Sequence, residues 1–276
     1  MPKPRLILHA GTHKTGTTSI QAALKRYRRQ LREQGLFYPT MSAGNTTRTA
    51  HHGLSRGFAS AEAGRRRRAH RFIRKVRAET GTGETVALSS ERFYRDVAGG
   101  HDWAGFVSDE YWDLRETFLD DLAHALRRFD VDVILYFRDF GYHLAWMHRA
   151  VVREGVWEGD AAAFHKAFED RLDYGAQLDL FRDRFNRVHA FEYETARKDS
   201  LIGHFFANTG FAVPEGADQI WKKKNDNSVE PVSVAGIPTA LQLRATPRKG
   251  GTRRTNQRSP LKRSVRRIRN VIRRLV

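Results

Sequence analysis

The feature that most constrains this chain is the stretch Arg5-Leu-Ile-Leu-His-Ala-Gly-Thr-His-Lys-Thr-Gly-Thr-Thr-Ser19. Its apolar run Leu6-Ile7-Leu8 is bounded by Gly11, as in a short strand buried in a parallel sheet, and from Thr17 the residues turn helical. The loop between them stands at a helix N-terminus. Backbone N–H groups there lack intrahelical partners and the helix dipole is positive, so the loop suits a phosphate or sulfate. Gly11 and Gly16 let the backbone bend round an anion, and Thr17, Thr18 and Ser19 add hydroxyl donors. The alternative is a plain strand-to-helix turn, which requires neither three hydroxyls nor a lysine.

The two glycines have the separation of the nucleotide loop G-x-x-x-x-G-K-[ST], but Thr17 stands where that loop has its lysine. The lysine is Lys14, inside the loop. That displacement argues against an ordinary ATP or GTP site. The segment Lys14-Thr-Gly-Thr-Thr-Ser19 resembles the 5′-phosphosulfate loop of sulfotransferases that use 3′-phosphoadenosine-5′-phosphosulfate (PAPS). The longer string from His13 to Gln21 is similar to the version in bacterial carbohydrate-type members. The resemblance implies that His13, Lys14, Thr15, Gly16, Thr17, Thr18 and Ser19 hold the donor and that Lys14 also takes part in catalysis.

Two further strand ends follow the same logic, because ligands of open parallel sheets bind beyond the carboxyl ends of the strands. Thr85-Val-Ala-Leu-Ser-Ser-Glu91 reads as a buried strand ending in polar residues. Its ending resembles the strand end where bacterial and Golgi-type sulfotransferases carry a glutamate general base, which implies that role for Glu91. Capping of the next helix, or pairing with Arg92 or Arg95, is the alternative for Glu91. Val131-Asp-Val-Ile-Leu-Tyr-Phe-Arg138 is the strongest strand in the sequence. The resemblance implies that Arg138 anchors the 3′-phosphate of the donor, with a fork of N–H groups matched to phosphate oxygens. The family adds a serine eight residues on, where this chain has Trp146, and His143 or Arg149 could supply the missing contact.

Strands alternating with helices predict an α/β fold, a P-loop-like open parallel sheet flanked by helices. The expected helices include Thr17 to Gln34, a basic one from Arg65 to Glu79, and others beginning near Thr117, Gly141, Asp160, Gln177 and Leu201. A fourth strand is expected over Arg187–Glu194. The segment Leu36 to Arg56 reads as a long functional loop, whose His51 and His52 could line an acceptor pocket or be surface histidines. As a metal site the pair is weak, and no metal is expected.

The net charge of +18 is unevenly spread. From Arg244 to Val276 there are 13 Lys or Arg and no acidic residue, and those 13 of the +18 leave +5 for the rest. We therefore expect an α/β domain over residues 1–243 and a basic tail over 244–276, disordered at first and ending in an amphipathic helix. The absence of cysteine excludes disulfides and thiolate chemistry and agrees with a reducing compartment. No run approaches the ~20 apolar residues of a membrane span, and the first residues lack a signal-peptide pattern. The expectation is a cytoplasmic enzyme that moves a sulfuryl group from PAPS to a carbohydrate or glycolipid acceptor, with peripheral contact to an anionic membrane surface through its tail and no nucleic-acid partner. The alternatives are a P-loop nucleotide kinase or hydrolase and a polyanion- or nucleic-acid-binding protein acting through the arginine-rich tail.

Overall fold

The computed structural model describes residues 2–40, 50–100 and 103–222. The first half contains β1 (Arg5–Gly11), α1 (Thr17–Arg26), α2 (Arg28–Glu33), β2 (Leu36–Phe37), α3 (Ala50–Ala59), α4 (Ala63–Glu79), β3 (Thr85–Ser89), α5 (Arg92–Arg95), α6 (Trp103–Val107) and α7 (Tyr111–Leu126). The second half contains β4 (Asp130–Phe137), α8 (Phe140–Arg153), α9 (Ala161–Leu172), α10 (Tyr174–Arg182), β5 (Arg187–Glu192), α11 (Tyr193–Ala196), α12 (Leu201–Thr209) and α13 (Gln219–Lys222).

The five strands form one parallel sheet in the order β2-β3-β1-β4-β5. This is the expected α/β architecture, a parallel sheet flanked by helices, with one strand more than the sequence suggested. The central strands are apolar because helices cover both their faces. On one face Ile7, Ala87, Ile134 and Tyr136 pack against Ile20 and Leu24 of α1 and Phe205 of α12. A second cluster, with Leu144, Met147 and Val151 of α8 against Phe164 and Phe168 of α9, lies beside it.

The strand order decides where a ligand can sit. The chain leaves β1 toward β2 and β3, and leaves β4 toward β5 on the other side. Connections that diverge from neighbouring strands open a crevice at their carboxyl ends, here between the ends of β1 and β4. The two strands run in register from Arg5 opposite Asp130 to Gly11 opposite Tyr136. Two ladder positions later, the loop after β1 and Arg138 therefore meet at the mouth of the crevice.

Several boundaries differ from expectation. The helix expected from Thr17 to Gln34 is broken at Tyr27 (φ −98°, ψ 15°) into α1 and α2. The expected loop from Leu36 contains β2 and most of α3, so His51 and His52 lie on a helix. The strand expected to reach Glu194 ends at Glu192, and Glu194 lies in α11. The basic tail over 244–276 lies outside the described residues. No helix among the described residues is long and apolar enough to cross a membrane.

Candidate active site

Gly11 ends β1 where the backbone must pass close to β4. A Cβ there would lie 2.7 Å from the Tyr136 carbonyl oxygen and 3.0 Å from Thr15 Oγ1. The loop is stitched to the sheet on both sides: Thr12 N–H donates to Tyr136 O (2.9 Å), and Thr12 Oγ1 accepts from the Arg138 N–H (2.9 Å). Thr15 Oγ1 donates to Thr12 O (2.7 Å), which closes the turn on itself. Lys14 has φ +62° and Gly16 has φ +69°. For a lysine that conformation costs roughly 1–3 kcal/mol and persists only where surrounding contacts impose it. One such contact is the Arg138 guanidinium, whose Nη1 donates to Lys14 O at 3.0 Å.

At the start of α1, the Ser19 and Ile20 N–H groups turn back onto Gly16 O. Those of Thr17 and Thr18 have no such partner among the described residues. Thr17 is only 5 % exposed, and its Oγ1 is buried without a hydrogen-bond partner. A buried hydroxyl left unpaired costs about 1–3 kcal/mol, so it fits a group that brings its own acceptor oxygens. Lys14 and Thr18 are exposed, and Ser19 is buried.

Beyond the loop, Arg138 lies between Tyr142 and Tyr193, with its guanidinium 4.6 Å and 5.5 Å from their ring centres. Its Nε is 3.6 Å from Glu194 Oε1, too long for a hydrogen bond. Burial raises the Glu194 carboxyl above its usual range although its Oε2 accepts from the Asp139 N–H (3.0 Å). Arg138, Tyr142, Glu194, Arg197 and Lys198 line a pocket of 470 Å³. Three of these five are cationic, so the pocket can take a second anion beside the loop.

Glu91 opens α5 just beyond β3. Its Oε2 lies 3.2 Å from His52 Nε2. Burial alone would raise its pKa, but the hydrogen bond and charge of His52, with Arg95 nearby, outweigh burial and hold it below the usual carboxylate range. His51 is different: it is 1 % exposed, its Nε2 donates to Pro39 O (3.0 Å) and its Nδ1 accepts from the Ser89 N–H (2.9 Å). Burial lowers its pKa to about 4. With both nitrogens engaged by backbone, the neutral His51 ring ties α3 to β3, and only His52 of the pair reaches Glu91.

His13 joins the two sides. Its ring stacks on Trp146 at 3.6 Å between centroids, and its Nε2 accepts from Arg95 Nη1 (3.0 Å). Burial, reinforced by Arg95, His143, Arg92 and Lys14, pushes its pKa well below the usual imidazole range, so the ring is neutral. Next to it lies a 40 Å³ cavity lined by His13, Arg95, Trp103, Tyr111, His143 and Met147, among others. His143 Nδ1 is buried there without a partner, and burial lowers that ring to about 3. His143 is thus walled off from solvent, while Arg149 is exposed.

The sequence reading named Arg95 only as a partner for Glu91, not for His13, and missed Tyr142, Arg197 and Lys198. The signal for Arg95 was its position four residues after Glu91, one helical turn into α5. Arg197 and Lys198 carried no signal, because they approach Arg138 only through the turn after β5. Among the described residues, no group of three or more His, Asp or Glu is placed to hold a metal ion.

No protein-family model matches the chain, and no curated protein matches it. Among solved structures it is similar to a sulfotransferase from Alicyclobacillus acidocaldarius, with 14 % identity over 84 % of this chain and 88 % of that one, TM-score 0.44. It is also similar to the sulfotransferase domain from the curacin biosynthetic pathway, with 11 % identity over 80 % of this chain and 78 % of that one, TM-score 0.39.

Proposed function

We propose that this chain is a PAPS-dependent sulfotransferase of the bacterial carbohydrate type, moving a sulfuryl group to a hydroxyl of a carbohydrate or glycolipid. The observation that carries this is the loop itself: a lysine inside it, two glycines at its ends, and an unpartnered buried hydroxyl at Thr17 on a helix N-terminus. Thr15 to Ser19 and the first turn of α1 would hold the 5′-phosphosulfate. His13, stacked on Trp146, supports the loop from behind.

Arg138 would anchor the 3′-phosphate. The hydroxyl that Trp146 does not offer has its counterparts in Tyr142, Arg197 and Lys198 around the same pocket. In the transfer, the acceptor oxygen bonds to sulfur as the bond from sulfur to the 5′-phosphate oxygen breaks. Glu91 takes the acceptor proton, oriented by His52. Lys14 neutralises the charge left on the phosphate oxygen. Such a reaction asks the protein chiefly for positioning and electrostatic stabilisation, as phosphoryl transfer does. The cysteine-free composition suits the cytoplasm.

Incubation of the purified chain with PAPS and a panel of neutral and anionic polysaccharides tests the proposal. The expected result is release of adenosine 3′,5′-bisphosphate stimulated by at least one polysaccharide. Transfer from Mg-ATP in place of PAPS would overturn it.

A further inference from the structure

Helix α4 carries a charge pattern that the catalytic site does not use. Its inner face is Ala69, Ile73 and Val76, all buried. At i, i+4 and i+7 on the opposite face stand Arg67, Arg71 and Arg74, all exposed, with Arg66, Arg68 and Arg77 along the flanks. Carboxylates are found only at the helix ends, where Glu62 pairs with Arg65 and Glu79 with Lys75. Among the described residues, none of the six other arginines has an acidic partner.

Nothing in the fold itself rewards this arrangement. Like charges one helical turn apart destabilise a helix, and arginines in its first turn oppose the helix dipole. The N-cap Glu62 offsets Arg65, but no acidic residue stands in the first turn itself to offset the arginines that follow. An anionic ligand would remove both penalties.

We propose that the α4 stripe binds a linear anionic polysaccharide, carrying sulfate or carboxylate groups along its length. Guanidinium forks match those groups in pairs, and the row presents three in succession, Arg67, Arg71 and Arg74. The stripe offers neither outward aromatic rings on which bases could stack nor amide side chains to read base edges, which disfavours nucleic acid. The stripe lies on the face of α4 turned away from Ala69, open to a long polymer. α4 packs against α3 so closely that a Cβ at Gly57 would lie 2.9 Å from Ala69 Cβ, and α3 carries His52, which touches Glu91. The identity of the polymer as acceptor rests on the proposed sulfotransferase function; its binding does not.

The test uses the full chain without PAPS. Binding of heparin and of a duplex DNA of equal length is measured across a salt series for the wild type, for R67Q/R71Q/R74Q, and for a tail control with the same charge loss, R266Q/R267Q/R269Q. The stripe variant is expected to bind heparin at least ~10-fold more weakly, with a flatter dependence on salt, while the tail control loses less than ~3-fold. Melting temperature serves as the control for folding, and three outward-facing substitutions that relieve like-charge repulsion are expected not to lower it. Equal losses in the two variants, no binding by the wild type, or a larger loss for DNA than for heparin would overturn the proposal. Loss of heparin binding with no sulfuryl transfer from PAPS would leave the stripe standing and remove only its assignment to an acceptor.

Discussion

The imidazole of His13 lies against the indole of Trp146, with centroids 3.6 Å apart and planes 26° from parallel. Trp146 stands where the family resemblance places a phosphate-binding serine, and here it forms part of the wall behind the loop. Aromatic stacking of this kind contributes about 0.5–1.5 kcal/mol beyond area burial. Trp146→Ala is therefore expected to weaken adenosine 3′,5′-bisphosphate binding roughly 2- to 10-fold. Calorimetry on the variant checks this. Trp146→Ser should not bind more tightly than wild type, since the pocket proposed for the 3′-phosphate already holds Arg138, Arg197 and Lys198.

Those cations give a second prediction. Arg197 and Lys198 are exposed, so Arg197→Ala and Lys198→Ala should leave the melting temperature within a few degrees of wild type. Each should raise the bisphosphate Kd several-fold, while binding of adenosine 5′-monophosphate, which lacks the 3′-phosphate, stays nearly unchanged. Equal effects on both ligands would contradict a 3′-phosphate role.

Glu91→Gln keeps the shape of the side chain and removes the proposed base. The expected loss in kcat is about 10²- to 10⁴-fold with an unchanged bisphosphate Kd. Because His52 and Arg95 hold the carboxyl below the usual carboxylate range, it stays ionised through neutral pH and the rate should fall only in acid. A pH–rate profile on wild type and His52→Asn measures the shift. In the His52 variant the acid limb should move to higher pH.

Buried neutral histidines set the acid stability. His51 is lowered to about 4, and His9 and His143 to about 3, each chiefly by burial. Unfolded, they would take a proton near 6.5, so the unfolded chain binds more protons than the folded one between these values. Their contribution to stability is therefore complete above 6.5 and is lost as the pH falls toward 4 and below. For His51 the linkage amounts to at most about 3 kcal/mol. Urea unfolding of wild type and His51→Gln at pH 7.5 and 5 should show a smaller pH dependence in the variant.

Gly11→Ala tests the stitching of loop to sheet. Its Cβ would meet the Tyr136 carbonyl at 2.7 Å, and a backbone carbonyl cannot rotate away as a side chain can. A loss of about 1–3 kcal/mol in stability is expected, together with weaker bisphosphate binding, read by thermal melting and calorimetry.

Much of this was legible in the chain because it is local. The strand, loop and helix of residues 5–26 are written in consecutive residues, and the apolar run from Val131 announces β4 because a central parallel strand is buried on both faces. The helix of His51 and His52 was misread as loop because Gly53, Ser55 and Gly57 lower its propensity. Contact decides there: Gly57 is small enough to let Ala69 approach, and tertiary packing overrides the local preference. The division of labour between the two histidines was invisible, since it depends on where Pro39, Ser89 and Glu91 arrive from distant segments. The same holds for Trp146, whose identity reads as a missing hydroxyl until its ring is found on His13.

The most direct test is calorimetric titration of adenosine 3′,5′-bisphosphate without magnesium, beside ATP with magnesium, into wild type, Lys14→Ala and Arg138→Ala. Tight binding of the bisphosphate by the wild type, weakened at least ~10-fold in both variants, is the predicted result, since each removes a charged contact worth about 1.5–3 kcal/mol. Preference for Mg-ATP, binding indifferent to both substitutions, or no binding of either nucleotide would contradict the assignment of the loop to a phosphosulfate donor.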